Sequence, residues 1–291
     1  MGADVGQGAG QVVLVTGASA GIGQACADRL QAAGWRVVGA SRRGTSSGGW
    51  EPLKMDVDDD EDVRRGVSGV LEAHGRLDAV VASAGWGVAG PVETTPMAQA
   101  KAQLETNFWG VVRVVQCALP AMRHQRSGRL VLISSLGGVI ALPFQAFYSA
   151  SKFALEGYAE ALGYEVEPFG IGVTLVEPGN IRTEFTARRQ KVVAGAQDEG
   201  AGAGAGAASD AYAAMVAYAA AADKAITLME RDEANGAPPE TVAVAVERVL
   251  VSKRPRRRVS VGKLGERVGI PAKRLLPHRL FEKAAGSSLG V

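Results

Sequence analysis

Five stretches of the chain are short, unbroken apolar runs: residues 11–16, 35–41, 77–83, 129–134 and 171–176. Val/Ile/Leu blocks without polar alternation are how strands read when helices cover both faces of a sheet. Between them, residues 21–33, 60–74, 97–123 and 146–167 carry apolar positions spaced near the helical period. Such strand–helix alternation predicts an α/β protein with a doubly wound parallel sheet of about seven strands and helices on both faces. Residues 53–57 and 258–261 supply the shorter strands. After Thr183 the pattern changes: residues 187–208 include AGAGAGAA, too poor in large apolar groups to hold a fixed packing alone, and a mobile loop is expected. Residues 209–231 then predict a helix capped by Ser209 or Asp210, with Met215, Tyr218, Ile226 and Met229 on its apolar positions. Pro238 and Pro239 open a further helix over 240–251.

Composition narrows the class. With 291 residues, 47% of them hydrophobic and 21% charged, the chain is long enough for a large core and unlike a wholly disordered or membrane-embedded protein. No apolar run reaches the ~18 residues of a spanning helix, and the start MGADVGQGAGQ lacks the blocks of a signal peptide, so a cytoplasmic protein is expected. Cys26 and Cys117 have no metal or redox spacing and read as small buried thiols; no metal site is expected. The 38 glycines are about twice the ordinary share, and many fall in the flexible segments expected at 1–10, 44–49 and 195–206. Charge is uneven: residues 253–283 hold eleven Lys/Arg and two acids in a chain of net charge +2. Such a segment suits nucleic acid, an anionic membrane surface or an acidic protein, and equally a solvated surface anchored by Leu264, Ile270, Leu275, Leu276, Leu280 and Phe281.

The first strand runs into Thr16-Gly17-Ala18-Ser19-Ala20-Gly21-Ile22-Gly23. A strand-to-helix turn of this kind offers free backbone N–H groups and a helix dipole to a pyrophosphate, and glycines let its oxygens approach. The Gly-x-x-x-Gly-x-Gly spacing resembles that of the short-chain dehydrogenase/reductase family, which implies a Rossmann-type fold and a dinucleotide on Gly17, Ser19, Gly21, Ile22 and Gly23. The second strand ends in Ser41-Arg42-Arg43, without the acid that holds a ribose 2′-hydroxyl and with cations for a 2′-phosphate, so NADP(H) is the expected cofactor. Asp56 and Val57 match the family position at the adenine. Ser83, Ala84 and Gly85 stand where many relatives have an Asn-Ala-Gly turn; a bracing asparagine is thus missing.

Tyr148 and Lys152 lie four residues apart, on one helix face. A neighbouring ammonium favours a phenolate, which lets the pair exchange a proton with a carbonyl or alcohol oxygen. By itself Tyr-x-x-x-Lys also describes a core tyrosine beside a solvent-seeking lysine. Three further motifs strengthen the family resemblance: Ser135, thirteen residues before Tyr148; Asn107-Phe108-Trp109-Gly110; and Pro178-Gly179-Asn180-Ile181-Arg182-Thr183. The resemblance spans residues 11 to about 185. It implies that Ser135 binds the substrate oxygen, that Asn107 perturbs its helix and holds a water near Lys152, and that Pro178, Gly179, Ile181 and Thr183 surround the nicotinamide. It further implies hydride transfer with Tyr148 as acid/base, Lys152 lowering the tyrosine pKa and touching the cofactor ribose.

On this reading residues 11–291 are one domain, with a substrate lid at 184–237 and a basic extension at 253–291. Trp86, Phe144, Tyr212, Met215, Tyr218 and Met229 are candidate pocket residues. The run 151–157 and the basic ending resemble relatives of the 17β-hydroxysteroid and retinol dehydrogenase kind, implying a bulky lipophilic ketone, aldehyde or alcohol. A homo-oligomer, with a dimer favoured, is expected through the helices at 97–123 and 146–167. A different class, an NADP(H)-binding sensor or scaffold whose basic tail meets nucleic acid or an acidic partner, stays open; nucleic acid is not expected, because the tail lacks interleaved aromatics for base stacking.

Overall fold

The computed structural model describes residues 10–46, 48–192 and 205–288. In chain order the strands are β1 (Val12–Thr16), β2 (Arg36–Ser41), β3 (Glu51–Lys54), β4 (Ala79–Ala82), β5 (Val88–Ala89), β6 (Gly128–Ile133), β7 (Ile171–Pro178), β8 (Gln190–Lys191) and β9 (Arg258–Val261). The helices are α1 (Gly21–Ala32), α2 (Asp60–His74), α3 (Met97–Leu104), α4 (Gly110–Gln125), α5 (Ala146–Val166), α6 (Phe185–Arg188), α7 (Ala205–Ala234), α8 (Pro239–Val251), α9 (Leu264–Leu275) and α10 (His278–Ser288).

Seven strands form one parallel sheet in the order β3-β2-β1-β4-β6-β7-β9. Its two faces explain the unbroken apolar runs. Leu14 of β1 packs with Val67, Val114 and Leu155 of α2, α4 and α5, whereas Val13 and Val15 meet Cys26 and Leu30 of α1 and Val242 and Val246 of α8. Each strand is therefore apolar at both odd and even positions. This is the doubly wound, Rossmann-type architecture that the sequence predicts. The chain lays down β1, β2 and β3 in one direction, then crosses back to place β4 on the other side of β1. Connections diverge there, leaving a crevice beyond the carboxyl ends of β1 and β4.

Several local expectations need correction. The third strand is at Glu51–Lys54, earlier than the predicted 53–57, because pairing with Val38–Ser41 sets its register. The predicted helix 97–123 is α3 and α4 joined through a π-helical turn at Glu105–Trp109. The loop expected over 187–208 contains β8, which pairs with β5, and its last residues belong to α7; residues 193–204 lie outside the described residues. Since α7 already begins at Ala205, neither Ser209 nor Asp210 caps it. The expected flexible start falls almost wholly on residues 1–9, which lie outside the described residues as well. Between β2 and β3 there is no helix among the described residues.

The missing asparagine after β4 has a substitute in β1. The Thr16 hydroxyl accepts from the backbone N–H of Ser83 at 3.1 Å and of Ala84 at 3.2 Å, tying the two strand ends at the crevice. Thr16→Val keeps the shape and removes the acceptor for both groups. Urea unfolding should then show a loss of about 1–3 kcal/mol, the cost of unsatisfied buried polar groups; an unchanged midpoint would mean that these bonds do not brace the crevice.

Candidate active site

The crevice opens into a cavity of about 1260 Å³. At one end, Gly17 and Gly21 take left-handed backbone angles, φ +69° and +55°, which turn the chain sharply from β1 into α1. A Cβ on Gly17 would lie 2.9 Å from the Ala84 backbone, and one on Gly23 would lie 2.3 Å from the Gly17 carbonyl oxygen. Ala20 precedes α1 without a side-chain cap, and the first turn holds no acid. The first N–H groups of α1 and its positive dipole end thus face the cavity without protein anions, which fits a pyrophosphate.

Beside this turn, Ser41, Arg42 and Arg43 line the same cavity. The Arg43 guanidinium donates to both the Ser19 carbonyl and hydroxyl, each at 2.8 Å, and so clamps the glycine turn. Asp56, Val57 and Asp58 complete that wall. Burial raises the pKa of Asp58, against a hydrogen bond from Thr106 that lowers it. Val57 is packed tightly on Gly110, where a Cβ would approach its Cγ2 to 2.8 Å. Ser83, Ala84 and Gly85 form the floor; Pro178, Gly179, Ile181 and Thr183, which follow β7, form the opposite wall.

Tyr148, Lys152 and Ser135 meet at the centre. The first turns of α5 place Tyr148 and Lys152 on the cavity, and Ser135 follows β6. Burial raises the Tyr148 pKa; the Ser135 hydrogen bond and the Arg189 charge lower it, while Glu233 raises it. The Lys152 ammonium donates to the Ile133 carbonyl at 2.9 Å and lies 6.0 Å from the centre of the Tyr148 ring. Burial pushes its pKa down to about 8, with Glu156 opposing the shift. The ammonium is turned to a backbone carbonyl, and Ser135 and Arg189 are the groups that oppose the burial-driven rise of the tyrosine pKa.

Asn107 is the one predicted site residue that does not line the cavity. It is fully buried in the π-helical turn, accepting from Trp86 N–H at 3.0 Å and donating to the Trp86 carbonyl at 3.0 Å and the Ser151 hydroxyl at 3.1 Å. The extra residue of that turn aims the side chain between β4 and α5, where it fixes the Ser83–Trp86 turn against the helix carrying Tyr148 and Lys152.

Two groups had no signal in the sequence. Behind Lys152, Glu156 accepts from the Ser134 hydroxyl and from Arg258, and Arg258 also reaches Glu177, which accepts from Ser260 at 2.7 Å. This partly buried cluster ties α5 to β6, β7 and β9. On the substrate side, the buried Arg189 side chain pairs with Glu233 and stacks 5.6 Å from the Phe185 ring, which itself meets Tyr148 edge-on at 5.7 Å. Its ion-pair partner Glu233 is 44 residues away along the chain, a separation that no local pattern reveals. Of the expected pocket residues, Trp86 and Met229 line the cavity. Phe144 does not line the cavity and packs behind it in a cluster with Ala89, Ile226 and Met229, and Tyr218 is exposed and bonded to Glu93. The side chains of Tyr212 and Met215 lie outside the described residues.

Fold, glycine turn and Ser–Tyr–Lys cluster together define a nucleotide-dependent oxidoreductase site. The chain belongs to the short-chain dehydrogenase family, whose pattern matches residues 11–193. That family binds a nicotinamide cofactor. The chain is 36% identical over 275 residues to a 3-ketodihydrosphingosine reductase of Bacteroides thetaiotaomicron, covering 94% of this chain and 96% of that protein. It is 38% identical over 191 residues to 17-beta-hydroxysteroid dehydrogenase type 1 of Mus musculus, covering 60% and 55% of the two chains. Among solved structures, a short-chain dehydrogenase from Streptomyces avermitilis superposes with a TM-score of 0.72 at 29% identity, over 95% of this chain and 96% of that one.

The depressed lysine makes a sign-definite prediction for the cofactor-free protein. Between about pH 8, where folded Lys152 loses its proton, and its ordinary value of 10.5, the unfolded chain binds the proton that the folded chain lacks. Stability owed to this group therefore rises with pH through that window. Cys26 and Tyr158, whose pKa values burial pushes up to about 12, act in the opposite sense at higher pH and cancel in a comparison of variants. Urea midpoints measured from about pH 7 to about pH 9 should show the wild type gaining on Lys152→Met; parallel curves would mean an undepressed lysine.

Proposed function

We propose that the protein is an NADPH-dependent carbonyl reductase for a long-chain, lipophilic ketone of the kind reduced by 3-ketodihydrosphingosine reductase, with alcohol oxidation as the reverse. The observation that carries this reading is the correspondence with that reductase over nearly the whole of both chains, which takes in the walls of the cavity beyond the dinucleotide half.

Arg42 on the cavity wall, Arg43 clamped to Ser19 and the neutral Ser41 at the end of β2 suit a 2′-phosphate and support NADP(H) over NAD(H). When bound, the cofactor supplies the hydride. Gly17, Ser19, Gly21, Ile22 and Gly23 hold its phosphates, and Asp56, Val57 and the Ser83–Gly85 turn flank its adenosine half. The Ser135 hydroxyl donates to the substrate oxygen and orients the carbonyl, and Tyr148 delivers the proton that the oxygen takes up. Lys152, once a ribose hydroxyl offers it a second partner, supports that proton transfer. Asn107 acts as a positioning residue through Ser151 and the Trp86 backbone.

The substrate half is apolar along Leu136, Ile140, Leu142, Phe185, Met229 and Leu276, as an alkyl chain requires. Asp232 and Glu233 share that wall, and Glu233 is close enough to Tyr148 to act on its pKa. With Glu233 paired to Arg189, the Asp232 carboxylate, whose partner Arg231 is exposed, is the one that suits an ammonium group near the reacting ketone, the chemistry of an amino ketone. The gathering of Ser135, Tyr148 and Lys152 on one cavity supports turnover over a role limited to binding.

Purified protein should oxidise NADPH faster than NADH with 3-ketodihydrosphingosine, followed at the nicotinamide absorbance. Tyr148→Phe should abolish turnover, a loss of at least about a hundredfold, while NADPH binding measured by calorimetry persists. Undiminished turnover in that variant, or reduction confined to small polar sugars, would sink the reading.

A further inference from the structure

Of the six residues that could anchor the basic tail, Ile270 and Phe281 are half-buried and Leu276 lines the cavity, whereas Leu264, Leu275 and Leu280 do not anchor it. The exposures of Leu264, Leu275, Leu276 and Leu280 are 75, 82, 44 and 58%, with Val268 at 54%. The tail is held instead from its inner side. The Lys273 ammonium donates to the Val139 carbonyl, and Glu266 accepts from the Asn180 amide at 3.0 Å. Gly265, Gly269, Ala272 and Leu276 of this inner side line the cavity, joined by Phe281 of α10.

The outward residues are ordered. Leu264, Val268, Pro271 and Leu275 fall at i, i+4, i+7 and i+11, which is one stripe of α9. Arg267 and Arg274 border that stripe, and Arg279 and Lys283 follow on α10; all four are exposed. None of the four has an ion-pair partner among the described residues. They belong to the segment of eleven cations and two acids. A basic rim around an exposed Leu/Val stripe is the composition of a helix that lies in a bilayer interface, its apolar face among the acyl chains and its cations at anionic headgroups.

We infer that α9 and α10 dock the protein on an anionic lipid surface and set one wall of the substrate cavity against it. Charge complementarity selects this occupant. A second copy of the chain placed symmetrically on the patch would bring the two cation-rich segments together, which a lipid bilayer avoids. Continuity of the stripe with the cavity wall gives the docking a use: Val268 and Leu276 are both exposed and cavity-lining, so a lipophilic substrate passes from membrane to site along apolar side chains. That use rests on the proposed reductase activity; the docking does not.

The test is co-sedimentation of the full-length protein with vesicles of phosphatidylcholine alone and with about one-third phosphatidylglycerol, at low and high salt. Binding is expected to the anionic vesicles and to fall with salt. The double substitution Leu264→Glu and Leu275→Glu, at positions outside the cavity, should weaken it by about tenfold or more while the urea midpoint and NADPH affinity stay as in the wild type. Absence of binding to anionic vesicles at low salt, or equal binding by the double variant, overturns the inference. So does a change in oligomeric state on gel filtration with no change in vesicle binding, which would assign the patch to a second copy. Vesicle binding by a protein that reduces no ketone leaves the docking intact and removes the proposed activity instead.

Discussion

An ammonium group withdrawn from water is the constraint around which this structure is organised. Lys152 is buried, and a buried charge is tolerated only where fixed dipoles and opposite charges compensate it. The compensation comes from the Ile133 carbonyl at the end of β6 and from Glu156, one turn further along α5. Glu156 is itself partly desolvated and needs Ser134 and Arg258, and Arg258 is shared with Glu177. One charge thus obliges β6, β7, β9 and α5 to hold their relative positions. Because Tyr148 and Lys152 share a helix face, the same network fixes the tyrosine hydroxyl against Ser135. The price of this rigidity is a lysine whose pKa is pushed down to about 8, ready to gain from any polar group that enters the cavity.

How much of this was legible in the sequence depended on the range of the interaction. The sheet and most helices followed from apolar periodicity, because each strand buries both faces and each helix one, a pattern written in consecutive residues. The glycine turn and the Tyr148–Lys152 spacing were equally local, and the cavity gathers every predicted site residue except Asn107, which stands behind it. What stayed hidden was long-range. Thr16 in place of an asparagine brace, Arg189 against Glu233 and Glu156 against Arg258 join residues far apart in the chain, and no spacing rule links them. The π-helical turn was not predicted: the resemblance implied only that Asn107 perturbs its helix, and the composition of residues 105–109 is ordinary for a helix. The basic tail stayed ambiguous for a physical reason: leucines at helical spacing among arginines fit an anchored surface helix and a helix that presents an apolar face outward equally well. The three-dimensional exposure of each side chain divides them, with Leu264 and Leu275 outward and Leu276 and Phe281 on the cavity.

The two halves of the cavity divide the chemistry. Backbone N–H groups, arginines and glycines near α1 are suited to a charged dinucleotide, and their geometry is set by the sheet. Apolar side chains from α7, α9 and the turn after β6, with Asp232 and Glu233 among them, form the other half. Tyr148 stands at their junction, where Phe185 and the Arg189–Glu233 pair adjust its surroundings from the substrate side. A substrate that perturbs that pair would therefore act on the tyrosine directly.

In the proposed function, a hydride passes between the two halves at the Tyr148–Ser135 junction. Incubating the protein with NADPH deuterated at nicotinamide C4 and 3-ketodihydrosphingosine, then weighing the product by mass spectrometry, tests it most directly. The expected product is an alcohol carrying one deuterium on the former carbonyl carbon. An unreduced ketone would contradict it, as would an alcohol formed without label from either C4-deuterated face.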